Sequence, residues 1–138
     1  YKENAMEDRE LPVFTYTDEN GEEVFIIQMI GLGLWDEING YLALEADKNT
    51  IRGVAFDHVG ETPGLGAELV RAKFRAQFLG QQLFDENGEY QFTVYKAGKI
   101  KDGNVGVDGL SGATLTTDGI HAMMLDATVA YQNFLEKE

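Results

Sequence analysis

Ser111, Thr114, Thr116 and Thr117 crowd into the run DGLSGATLTTDG, with Gly109 and Gly112 between and beside them. Glycine opens backbone conformations closed to other residues, and a helix starting just after the run presents unpaired N–H groups with a partial positive charge. Together these features suit a phosphate. The hydroxyls would donate to its oxygens, or one of them would be esterified to it. A plain turn that caps the helix uses the same residues, so both readings stand at this point. The run is not a P-loop, because the GxxxxGK[ST] pattern is absent.

A second stretch, HVGETPGLG from His58 to Gly66, shapes a loop. Pro63 fixes its own φ and pushes Thr62 towards an extended conformation, while Gly64 and Gly66 permit a tight turn that leaves Leu65 projecting at its tip. An apolar side chain there, beside Glu61 and Thr62, would cover the face of a planar ligand. A strand-to-helix connection needs the same composition. The third stretch, GLGLWDEINGY from Gly31 to Tyr41, places Leu34 and Trp35 between glycine turns. Its tryptophan would serve either in the core or at a pocket edge.

Other constellations carry less chemistry. His58 and His121 are the two histidines, and their spacing is not that of metal ligands, so each reads as structural or exposed and no metal site is expected. Nothing in the spacing supports a Ser–His–Asp triad on Ser111. With no cysteine there is no disulfide, thiolate nucleophile or cysteine-ligated cluster.

The elements that must carry these stretches follow from periodicity. Apolar alternation predicts strands over Val13–Tyr16, Val24–Ile30, Ile38–Leu44, Ile51–His58 and Tyr90–Ala97, joined by the polar turns DENGEE, EADKNT and DENGEY. Short turns between consecutive strands imply an antiparallel meander. A helix is predicted over Glu68–Leu79, with Val70, Phe74 and Phe78 on one face and Gly80 as its C-cap. A longer one is predicted from Thr117 or Asp118, either of which could cap it, to Glu136, with Ile120, Met124, Ala127, Tyr131 and Leu135 on its apolar face. Strands followed by helices without βαβ alternation give an α+β fold, an antiparallel sheet packed with helices.

The 138 residues suit one domain, 1–138, large enough to bury a core without metal or disulfides. The composition is 43% hydrophobic and 25% charged, ordinary for a folded domain, after a polar lead-in YKENAMEDRE. A formal charge of −13 repels phosphate backbones and anionic headgroups, which argues against nucleic acid as a partner and favours a monomer in solution. The chain holds no apolar run of the roughly 18 residues a membrane span needs.

The run DGLSGAT, Asp108 to Thr114, resembles the Asp-x-x-Ser/Thr-Gly-Ala-Thr signature of domains that carry covalently bound FMN. The resemblance implies a phosphoester between the FMN phosphate and Thr114, made by a separate flavin transferase, with Asp108, Ser111, Gly112 and Ala113 completing the recognised motif. The segments GLGLWDEINGYLAL and HVGETPGLGAEL are similar to those of the NqrC family, the C subunits of sodium-pumping NADH:quinone oxidoreductases. The related G subunits of Rnf electron-transport complexes share the signature and the ETPGLG loop. Membership implies a flavoprotein subunit on the outer side of the cytoplasmic membrane. Such a protein relays electrons to neighbouring subunits and is anchored by an N-terminal transmembrane helix that this sequence does not hold, so the soluble domain without its anchor is expected. Glu61, Thr62, Gly64 and Leu65 from one loop, with Leu34 and Trp35 from another, are then expected to flank the flavin ring. Rival readings are an Rnf-type subunit, a free-standing extracellular flavoprotein, or a non-catalytic protein-binding module in which the signature only caps a helix.

Overall fold

The computed structural model describes residues 11–34 and 36–136. The alternating segments form β1 (Val13–Thr17), β2 (Glu23–Leu32), β3 (Glu37–Leu44) and β4 (Ile51–His58), an antiparallel meander in the order β1-β2-β3-β4. Asp18 and Asp47 shape two of its turns, each accepting backbone N–H bonds from residues just downstream. The register pairs Ile27 with Leu42 and Leu42 with Val54, so these side chains share one buried face with Met29, Leu44 and Phe56. The other face exposes Phe14, Tyr16 and Tyr41.

Across the buried face lies α2 (Thr114–Ala130), which contributes Ile120, Met123, Met124 and Ala127 to the core. It passes close to the end of β2: a Cβ on Gly119 would overlap the Leu32 carbonyl. Tyr131 closes the far end, its hydroxyl donating to the Pro12 carbonyl at 2.7 Å and accepting from the Gln28 amide at 3.3 Å. The chain turns at Tyr131, so the predicted helix to Glu136 is completed by a separate short α3 (Gln132–Glu136). The α+β architecture and the meander match the sequence reading; the helix starts do not. α2 begins at Thr114, three residues before the predicted cap. Thr117 instead accepts the Leu110 amide at 3.0 Å, and Asp118 lies exposed on the helix surface.

The predicted helix over Glu68–Leu79 is two pieces, a 3-10 helix (Gly66–Val70) and α1 (Ala72–Ala76), separated by an extended Arg71. A continuous α-helix turns about 100° per residue, which would set Leu69 roughly 140° away from Phe74. Breaking at Arg71 lets Leu69, Phe74 and Phe78 all reach the core, where Phe78 meets Phe56, Phe74 and Phe92 with ring centroids 5.3 to 5.5 Å away. Gly80 does not cap a continuous helix; its amide joins the Ile51 carbonyl at 2.8 Å.

The predicted fifth strand is shorter than expected. Tyr90 forms only a bridge to Phe84, and β5 (Thr93–Tyr95) pairs in parallel with β6 (Gly106–Asp108). Beside β6 two glutamines complete its hydrogen bonding. Gln77 accepts from the Asp108 amide at 2.8 Å and donates to its carbonyl at 3.2 Å, and Gln81 makes the same pair of bonds to Gly106. Two side-chain amides thus stand in for a neighbouring strand. Among the described residues no helix is long and apolar enough to cross a membrane.

Candidate functional site

β6 delivers the chain into the hydroxyl-rich turn. The Ala113 amide donates to the Leu110 carbonyl at 3.2 Å, and Gly112 sits at φ +72, a left-handed conformation that L side chains rarely adopt. The hydroxyls now divide. Thr116 and Thr117 are buried, the first donating to Glu61 and the second accepting from the Leu110 amide, whereas Ser111 and Thr114 are exposed. Thr114 is the first residue of α2, and the residue ahead of it, Ala113, has no side-chain oxygen to cap the helix. Alanine is a poor cap, so a 17-residue helix starts with its leading N–H groups unmatched by a capping side chain.

The ETPGLG loop comes to this turn. A Cβ built on Gly112 would stand 3.0 Å from Leu65 Cδ2, so the projecting leucine lies over the backbone of the motif. Leu65 is 42% exposed and Leu34 44%. Thr62 and Gly64 are exposed, and the Thr62 carbonyl accepts from the Leu65 and Ala67 amides, each at 3.1 Å. Asp108 is half-buried and accepts the Gly98 amide on Oδ1 at 2.8 Å, which braces the strand that leads into the turn. Trp35 lies outside the described residues.

Glu61 occupies a different place from its neighbours. It is 4% exposed, with Oε1 accepting the Leu34 amide at 3.1 Å and the Thr116 hydroxyl. Its own amide donates to His58 Nδ1 at 3.1 Å. Two glycines make room for the carboxylate: a Cβ on Gly33 would come within 2.6 Å of Oε1, and one on Gly66 within 2.9 Å of it and 2.6 Å of Thr116 Oγ1. The three sequence stretches therefore meet at one carboxylate. Sequence reasoning took the Thr116 hydroxyl for a phosphate donor, whereas it is buried on Glu61, and it missed the part Glu61 plays behind the surface; the signal available was Gly33 ahead of Leu34 and the glycines on both sides of Leu65. His121 sits apart, its Nδ1 accepting the Val94 amide at 3.2 Å. A cavity of about 530 Å³ near the C-terminal end of α2, walled by Phe84, Tyr90, Leu125 and Val129 among others, includes none of the expected site residues.

The sequence matches the family model of the FMN-binding domain over residues 33–129. The chain belongs to the FMN-binding domain family. The matched span runs from the Gly33 loop into the last turn of α2 and so contains every loop that meets at Glu61. This FMN-binding domain is 44% identical over 107 residues to the Na(+)-translocating NADH-quinone reductase C subunit of Vibrio vulnificus strain YJ016, covering 76% of this chain and 42% of that protein. It is 40% identical over 109 residues to the corresponding C subunit of Haemophilus ducreyi, covering 78% of this chain and 42% of that protein. The chain thus spans about two fifths of the length of these relatives. Among solved structures it resembles the Na(+)-translocating NADH-quinone reductase C subunit from Parabacteroides distasonis, with a TM-score of 0.89 at 38% identity over 98% of this chain and 67% of that one. It also resembles Shewanella oneidensis NqrC, with a TM-score of 0.78 at 35% identity over 91% of this chain and 61% of that one.

Proposed function

We propose that this domain carries FMN covalently, through a phosphoester on Thr114, and relays electrons as a subunit of a sodium-pumping NADH:quinone oxidoreductase. The observation that carries the reading is the pairing of an outward Thr114 hydroxyl with an uncapped helix start. Of the four hydroxyls only Ser111 and Thr114 face outward, and of these two only Thr114 stands on the first turn of α2, where the N–H groups and the helix dipole favour an anion. The residues present fit the rest of the group. Leu34 and Leu65 offer apolar cover for a planar ring, and Thr62 and Gly64 offer polar groups at its edge. Asp108, Ser111, Gly112 and Ala113 form the turn that a flavin transferase would read.

When bound, the flavin supplies the one- and two-electron chemistry, and the protein supplies its placement and local electrostatics. No general base is required of the chain. The half-exposed leucines keep the site open at the surface, as a relay between redox partners needs. The partners in this reading are neighbouring subunits of the membrane complex, with the domain on the outer side of the cytoplasmic membrane. The names of the relatives favour this complex over the Rnf type.

Intact mass after co-expression with a flavin transferase tests the reading. The chain should gain one FMN less water, located on the peptide containing Thr114, and Thr114→Ala should fold and gain nothing. Addition of the same mass to Thr114→Ala refutes the attachment residue, and absence of any addition to the unaltered chain refutes the covalent flavoprotein.

A further inference from the structure

We propose that Glu61 and Thr116 form a buried positioning pair that sets the geometry in which Thr114 and the two leucine-bearing loops face a flavin. The inference rests on the proposed attachment at Thr114, and it assigns to Glu61 a role behind the ring instead of against it. Three observations carry it. First, the carboxylate is out of reach of a ligand at the surface, being 4% exposed, and Thr116 is 1% exposed. Second, Oε1 ties the Leu34 amide to the Thr116 hydroxyl across 27 and 55 residues of sequence, so one atom joins the GLGLW loop, the ETPGLG loop and the first turn of α2. Third, Gly33 and Gly66 both approach that carboxylate so closely that any side chain on either would strike it.

A buried carboxylate is costly to keep unless its oxygens are met by donors. The loops must therefore hold the positions that meet them. Thr116 lies two residues beyond Thr114 on the same helical turn, so the bond that fixes Thr116 also fixes the azimuth of the Thr114 hydroxyl about the helix axis. Leu34 is fixed through its own amide, and Leu65 through Gly66, whose backbone packs against both members of the pair.

The test uses the whole chain with Thr116→Val, which keeps the shape and removes the hydroxyl, Thr116→Ser, which restores it, and Glu61→Gln, which keeps one acceptor oxygen and replaces the other with an amide. Two readouts are taken, the initial rate of FMN incorporation by the transferase and the circular dichroism of the bound flavin in the visible. Thr116→Val should lower the rate about tenfold and alter the flavin signal in the loaded fraction while the far-ultraviolet spectrum is unchanged, the effect expected of one lost buried hydrogen bond. Thr116→Ser should recover both, and Glu61→Gln should fall between. Wild-type rate and an unchanged flavin signal in Thr116→Val overturn the proposal.

Amide hydrogen exchange at Leu34 in the flavin-free chain supplies a readout that does not depend on FMN. Exchange should be about tenfold faster in Thr116→Val than in Thr116→Ser at equal global stability. If the unaltered chain takes up no FMN, the attachment reading fails and this exchange decides the pair: equal protection at Leu34 in the two variants overturns it. Should Thr116→Val not fold, Glu61→Gln against the unaltered chain gives the same comparison, with unchanged rate, flavin signal and Leu34 protection counting against the pair.

Discussion

Replacing Gln77 with methionine tests how β6 is held at the threshold of the site. Methionine keeps the length and the apolar stem of glutamine, so packing changes little and the two bonds to Asp108 are the main loss. Each bond is neutral, with net worth of about 1 kcal/mol in a partly buried setting, so the pair contributes roughly 2 kcal/mol. In a domain of this size each kcal/mol moves Tm by about 3 °C, which predicts a fall of about 6 °C. Scanning calorimetry of the two chains at one pH and salt measures it. Gln81→Met should act alike through Gly106, and because both glutamines brace the same three-residue strand, the double variant should lose more than the sum of the singles. A Tm within about 1 °C of the parent for both single variants refutes the idea that the amides act as a strand edge, since about 0.3 kcal/mol is less than a single such bond contributes.

Two other outcomes follow from the core and the turns. Phe78→Ala removes a fully buried ring in contact with Phe56, Phe74 and Phe92, and should cost about 3–5 kcal/mol, read as a lower urea midpoint with an unchanged slope. Burial pushes the Asp47 carboxyl up, but the Thr50 hydroxyl and the Thr50 and Asn49 amides outweigh it and hold the group below the ordinary aspartate range. The folded value is thus depressed, so Asp47 stabilises the chain above the ordinary aspartate value and that stability is lost as pH falls through the depressed one. Asp47→Asn should flatten the acid limb of a stability-versus-pH curve, and an unaltered limb would remove Asp47 as a contributor.

Much of the fold was legible because the sheet obeys local rules. β3 alternates throughout, β2 and β4 do so around Ile27–Met29 and Val54–Phe56, and Asp18 and Asp47 sit where Asx turns need them. What could not be read depends on contacts distant in sequence. The break at Arg71 exists because Leu69 and Phe74 must reach the same core from positions that a continuous helix would point apart. β6 is three residues long and is held by Gln77 and Gln81, so no alternation announces it. The start of α2 was misplaced because capping logic looks for an oxygen, and this helix begins after an alanine. Thr117, which looks like a cap, spends its hydroxyl on the Leu110 amide. The motif residues around Thr114 were visible as a pattern of types. The place of Glu61 was not, because a glutamate beside a proline–glycine turn reads as a polar group at the edge of a ligand until Gly33, Gly66 and Thr116 close around it.

The meeting of three loops at Glu61 also bears on the order of events in the life of the chain. Residues 34, 61 and 116 are joined through one oxygen, and the last of them belongs to the final long helix. A ribosome-bound chain that has emerged only as far as the ETPGLG loop holds two of the three. The surface around Thr114 therefore forms only once residue 116 has joined the other two, and a catalyst that recognises that surface would act on chains whose loops have met. Copies in which the loops have not met would lack the mark such a catalyst leaves, so under the proposed attachment that mark would record successful folding.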